Sequence, residues 1–171
     1  LSDKFWVVGL PRSRTYWLAE FLGCLHEGLF HYPNYNDFMD SDQVGDSTTA
    51  YLQIRDFIIN ERKVVIHRDM EEVKTSLFDL FGYIDMPFLQ EQEELLGVED
   101  GLHVKFEDID ERIVEIWHYC HPDIVFPSEK YDDMKDIKLE NLLLIEESKV
   151  MLGQIREAEQ CLNHLNDYPL Q

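Results

Sequence analysis

The chain has 171 residues, 15 Lys and Arg against 35 Asp and Glu, and a formal net charge of −20 at pH 7. This length suits a single domain over residues 1–171 whose core needs neither disulfides nor metal, and the charge excludes general binding to nucleic acid or to an anionic membrane surface. Cys24, Cys120 and Cys161 are odd in number, widely spaced and without a C-x-x-C, which points to a reduced cytoplasmic setting, and no apolar run reaches the roughly 20 residues that span a bilayer or forms a signal peptide.

In chain order, Phe5-Trp6-Val7-Val8 reads as a buried strand. A helix follows from Thr15 to Gly23, with Trp17, Leu18, Phe21 and Leu22 on one broad face and Gly23 as its stop. Cys24-Leu25-His26 is short enough for a small strand, leaving Glu27 and Gly28 at its exit. Residues 30–42 mix aromatic rings with Pro, Asn and Asp and read as a loop with one helical turn. Gly45-Asp46-Ser47-Thr48 reads as a loop entering a helix, with Ser47 as N-cap and Tyr51, Leu52, Ile54, Phe57 and Ile58 as the apolar side.

The clearest β-branched run is Val64-Val65-Ile66, within Lys63 to His67. Asp69 then caps a helix with Val73, Leu77, Leu80 and Phe81 as buried positions. After Gly82 and Pro87, the Glu-rich residues 89–100 read as a solvated helix and loop, with a docking face for a basic protein partner as the lesser reading. Leu102 to Phe106 alternates as a strand, and Ile113, Ile116 and Trp117 mark a helix. Residues 121–130 form a loop, Ile137 to Leu139 an edge strand, and Ser148 to Leu165 a helix. Strands alternating with helices predict a three-layer α/β/α domain with a mostly parallel sheet, as in P-loop nucleotide-binding proteins. In such sheets ligands sit at the carboxyl ends of the strands, so Gly9 to Thr15, Glu27, Asp46 and Arg68 are expected to face one crevice.

The stretch Gly9-Leu10-Pro11-Arg12-Ser13-Arg14-Thr15-Tyr16-Trp17 is the candidate site. A glycine leaves a strand, a proline fixes a turn, and hydroxyls and amides gather at a helix start, where free N–H groups and the positive dipole end both favour an anion. Arg12 and Arg14 concentrate positive charge there in an acidic chain.

This stretch resembles the phosphosulfate-binding loop of the sulfotransferases, Pro-Lys/Arg-Ser-Gly-Thr-Thr followed by an aromatic or apolar residue. Val64 to Ser76 looks like that family's second signature, a strand ending in Arg with a Ser eight residues later, and Val104 to Asp108 faintly echoes a later family strand. The resemblance implies a donor, 3′-phosphoadenosine 5′-phosphosulfate, leaving as adenosine 3′,5′-bisphosphate, and an acceptor hydroxyl or amine of unknown identity. It implies Arg12 on the bridging and sulfuryl oxygens, Ser13, Arg14, Thr15 and Tyr16 around the 5′-phosphate, Trp17 near the adenine, and Arg68 with Ser76 on the 3′-phosphate. Arg14 departs from the family's Gly, and the late Arg-Lys-Gly and Gly-Asp-Trp patterns are absent from the sequence.

Sulfuryl transfer needs charge stabilisation by fixed arginines and amides, and a base for the acceptor's proton; it needs no metal. Glu27 is the first candidate for the base, Asp46 the second, and His26 or His31 could substitute. His118, Cys120 and His121 lack a second cluster at zinc-ligand spacing. A P-loop kinase is disfavoured because G-x-x-x-x-G-K-[ST] is missing. A non-catalytic binding module of the same fold is the third reading.

Overall fold

The computed structural model describes residues 4–137. The described residues up to Lys135 form one compact unit. The edge strand expected from Ile137 to Leu139 and the helix expected from Ser148 to Leu165 lie at or beyond the end of the described residues.

Five strands, β1 (Phe5–Gly9), β2 (Leu25–His26), β3 (Gly45–Thr48), β4 (Arg62–His67) and β5 (Leu102–Lys105), form one parallel sheet in the order β2-β3-β1-β4-β5. Every residue of β1 is buried, as are Val64 to Ile66 of β4, which is why these strands carry apolar runs and not alternating ones. Trp6, Val8 and Val65 belong to a core shared with α3 (Tyr51–Ile54), α4 (Met70–Phe81) and α5 (Met86–Gly97), through Tyr51, Ile54, Val73, Leu89 and Leu96. α2 (Tyr35–Met39) adds Phe38, whose ring lies 5.3 Å from that of Trp6.

The opposite face of β1 meets α1 (Thr15–Leu22), against which α6 (Ile113–Cys120) and α7 (Ser128–Met134) pack. Phe5 meets His121 edge-on at 5.0 Å, and Phe21 of α1 lies 5.5 Å from Trp117 and 5.9 Å from Tyr131. Full burial of each such side chain contributes on the order of 1.5–3 kcal/mol. The result is the expected three-layer α/β domain, with an all-parallel sheet. Among the described residues, no helix is long and apolar enough to cross a membrane.

Helix ends follow the sequence closely. Gly23 and Gly82 close α1 and α4 in the left-handed region, at φ 72 and 65, and the Asp69 carboxylate accepts from the N–H groups of Glu71 and Glu72.

Four stretches differ from expectation. Gly45–Thr48 is a strand, not a loop, and Ser47 is not an N-cap: its hydroxyl is buried and donates to the Thr15 carbonyl at 2.7 Å. Polar residues with low strand propensity are held there because each finds a partner inside the sheet. Leu80 and Phe81 are exposed by 54% and 72%, since α4 sinks only Val73 fully into the core. Residues 89–100 are not simply a solvated face, because Leu89, Gln92 and Leu96 turn one side of α5 inward. Within the expected loop 121–130, α7 already begins at Ser128.

The strand order places the crevice. From β1 the chain moves to the β2 side, while from β4 it moves on to β5, so the two neighbouring strands send their outgoing connections apart and leave a gap at their carboxyl ends.

Candidate functional site

The loop leaving β1 is strained where it turns. A Cβ on Gly9 would stand 3.2 Å from both the Cβ and the carbonyl oxygen of Ile66, so β4 leaves little room for any side chain there. Arg12 and Arg14 follow at φ 67 and 61, and Glu27 has φ 54; among the described residues these are the only non-glycines with positive φ. Each costs about 1–2 kcal/mol. Strain of this kind gathers where a backbone shape is needed for a ligand, and all three residues belong to the site expected from sequence.

The loop also has unfilled capacity for an anion. No side chain caps α1, whose N-cap is Arg14, and a helix start presents backbone N–H groups and the positive dipole end to an anion. Ser13 is fully buried and its hydroxyl has no hydrogen-bond partner. A tetrahedral anionic group fits this donor set.

β4 and α4 close the other side. The Arg12 Nε donates to the Ser76 hydroxyl at 2.9 Å, and an Nη of Arg68 donates to the Arg12 carbonyl oxygen. The Arg68 guanidinium lies 4.1 Å over the Phe106 ring, and its Nε is 3.2 Å from a Glu72 oxygen. Arg68 and Ser76 also line a groove of about 460 Å³ with Thr75, Glu71, Glu72 and Asp79. The three carboxylates are on exposed residues, so water screens much of their charge. Two motifs separated by more than 50 residues thus meet at one point.

Glu27 is held at the end of β3. One carboxylate oxygen accepts from the Thr48 hydroxyl at 2.5 Å, and the other from the Thr49 N–H and hydroxyl at 2.6 and 2.8 Å. His26 lies beside it. Burial lowers the His26 pKa, partly offset by the Glu27 charge, and its Nε2 is 3.4 Å from the Thr15 hydroxyl. The Tyr16 ring meets His26 edge-on at 5.2 Å. His31 is exposed in the 3-10 turn Gly28–His31.

The remaining expected residues have other surroundings. Asp46 is fully buried within β3, and its carboxylate accepts from the N–H groups of Gly28, Leu29 and Ser47, each at 2.9 Å. Burial pushes its pKa up to about 6 against the lowering by those N–H groups, with the Glu27 charge adding to the rise. The Arg14 side chain turns to Asp110, with an Nη at 2.9 and 3.0 Å from its two oxygens, and lies 4.3 Å over the Trp17 ring. Trp17 itself is 3% exposed, stacked on Phe21 at 5.4 Å, and donates its N–H to the Met134 carbonyl. Among the described residues, no three His, Cys, Asp or Glu side chains converge as metal ligands would.

Several neighbours of the site are not evident in the motifs. Thr49 carries the Glu27 carboxylate, and Asp110 holds Arg14. The ring nitrogens of His67 and His103 are 2.7 Å apart beside Arg68. Gln92 reaches from α5 to the strand ends. Only Gln92 leaves a signal in the sequence: three residues after Leu89 and four before Leu96, it is a polar residue in an apolar register.

Two stability measurements check this geometry. Arg14→Ala and Arg14→Gly both remove the Asp110 and Trp17 contacts and differ by a Cβ at φ 61, so urea unfolding should find the Gly variant more stable by about 1 kcal/mol. Asp46→Asn, which cannot accept all three N–H bonds, should cost about 1–3 kcal/mol at pH 7. Because folding raises the Asp46 pKa, its contribution to stability is fully present below the unfolded value and is lost as pH rises through about 6; the cost of Asp46→Asn should therefore be larger at pH 4.5 than at pH 7. No family model, no curated protein and no solved structure matches this chain, so the site stands on its own residues and geometry.

Proposed function

We propose that this chain is a sulfotransferase that moves a sulfuryl group from 3′-phosphoadenosine 5′-phosphosulfate to a hydroxyl or amine, in a reduced cytoplasmic setting. The observation that carries the reading is the junction of Arg12, Arg68 and Ser76 across the gap between β1 and β4. A doubly phosphorylated adenosine has two separated anionic ends, and here two arginine-bearing turns stand side by side at the carboxyl edge of one sheet. Ser13, Thr15 and the first amides of α1 would hold the 5′-phosphate end, with the Arg12 guanidinium standing between it and Ser76. Arg68 and Ser76 would take the 3′-phosphate. The nucleotide, when bound, supplies the sulfuryl group and the leaving phosphate.

The protein's contribution is electrostatic and positional. Fixed guanidinium and N–H groups answer the charge that develops on the leaving phosphate without reorganising. We assign the acceptor's proton to Glu27. An ionised carboxylate has about four acceptor positions, and the Glu27 carboxylate receives three hydrogen bonds, leaving one for the acceptor. Asp46, with its oxygens taken up by the turn after β2, is given a folding role, and Trp17, closed in by Phe21 and α7, is left out of the adenine contact. A nucleotide-binding module without turnover is the second reading, favoured by the same three bonds, which occupy most of the Glu27 acceptor positions.

Thermal shift separates the readings. Adenosine 3′,5′-bisphosphate should raise Tm more than ADP, and Arg68→Ala or Ser76→Ala should erase that difference, with a smaller loss of the response to ADP. A larger rise with ATP and magnesium would overturn the sulfotransferase reading in favour of a kinase. In a transfer assay Glu27→Gln should lower kcat by about 10²–10⁴-fold; binding of the bisphosphate with no turnover on phenol or amine acceptors would favour the module.

A further inference from the structure

The β1–β3 ladder ends at the pair Val8 and Thr48. One residue further, the two chains part to release the loop on one side and the turn into α3 on the other, and Gly9 continues its pairing only toward Ile66 of β4. Gln92 closes this opening. Its side chain is fully buried, and its Nε2 donates to Thr49 O at 2.7 Å and to Gly9 O at 3.2 Å. The amide thus acts as one extra rung between strands that no longer pair.

We propose that Gln92 is a positioning residue that fixes the Glu27 carboxylate relative to the loop after β1. The connection is continuous. Glu27 Oε1 accepts from the Thr49 N–H, the Thr49 carbonyl accepts from one Nε2 proton of Gln92, and the Gly9 carbonyl accepts from the other. A Leu at this register would match its neighbours on α5 but take the Nε2 donor away from both carbonyls. The amide satisfies both, yet its own Oε1 is buried with no partner. Placing a side chain here that leaves one of its own atoms unsatisfied is consistent with a demand for a fixed spacing between β1 and β3. This role rests on the proposed function, in which Glu27 and the loop serve one reaction. The loop's other ties, Arg12 to Ser76 and Arg68 to the Arg12 carbonyl, do not pass through Gln92, so nucleotide affinity and proton removal should separate.

The experiment is a double-mutant cycle on the full chain, read by amide NMR and by kinetics, with Glu27→Gln and Gln92→Met. Glu27→Gln should move the Leu10 amide, which shares the Gly9 peptide, and the Gln92 side-chain NH2; in the Gln92→Met background Leu10 should stay unmoved. An unchanged Leu10 response in that background overturns the coupling. In kinetics, Gln92→Met should lower kcat by about 10²-fold, as expected of a misplaced base, while the Kd for adenosine 3′,5′-bisphosphate changes less than about threefold. An unaltered kcat in a folded variant also overturns the proposal. Should Gln92→Met fail to fold, the Gln92 side-chain NH2 decides: a shift on Glu27→Gln supports the link, and none contradicts it. If the wild type neither binds the bisphosphate nor turns over, the sulfotransferase reading fails separately, and the NMR cycle alone judges the link.

Discussion

The hydrogen bond from the Arg68 guanidinium to the main-chain oxygen of Arg12 joins the two halves of the site. β1 and β4 run side by side, but their outgoing connections diverge, and a gap between diverging connections gives a loop no support of its own. The Arg68 side chain supplies that support from the β4 side and is itself held by the Phe106 ring and Glu72. The left-handed backbone at Arg12 and Arg14 persists because contacts on both flanks hold the loop. The same contact leaves guanidinium charge at the mouth of the gap, in a chain with twenty more acidic than basic residues.

Across the sheet from this contact, burial shapes the acidic side of the site. Asp46 lies in the strand beside β1, where its carboxylate gathers three N–H groups and shapes the turn that presents Glu27. Glu27 takes a left-handed backbone at that turn, and its carboxylate folds back onto Thr48 and Thr49. Two acidic residues close in sequence order to the loop therefore have different surroundings: one is enclosed by backbone, the other stands at a strand end and retains a free acceptor position. Gln92 then ties that strand end to β1 from the far layer.

Much of this was legible in the sequence because it is local. The runs Phe5–Val8 and Val64–Ile66, the Asp69 cap and the glycine stops at 23 and 82 each depend on neighbours within a turn or two. The pairing of Arg68 and Ser76 with the loop was expected only from the resemblance of the two motifs. What was not legible depends on partners distant in sequence. Gly45–Thr48 carries turn-like residues that become a strand only because β1, β2 and the Glu27 turn meet their polar groups. The inward side of α5 was hidden under its glutamates, and the exposure of Leu80 and Phe81 follows from how shallowly α4 lies on the core. The strain at Arg14 gives a physical reason for the glycine that the resembling motif carries there: a left-handed φ is easy for glycine and costly for arginine.

Phosphorus NMR of adenosine 3′,5′-bisphosphate with the protein tests the central claim most directly, because the two phosphates give separate resonances. Both should move on binding to the wild type, and in Arg68→Ala the 3′ resonance should return further toward its free position than the 5′ resonance. Movement of the 5′ resonance only, or of neither, in the wild type would contradict the joint grip of the β1 and β4 turns on one nucleotide.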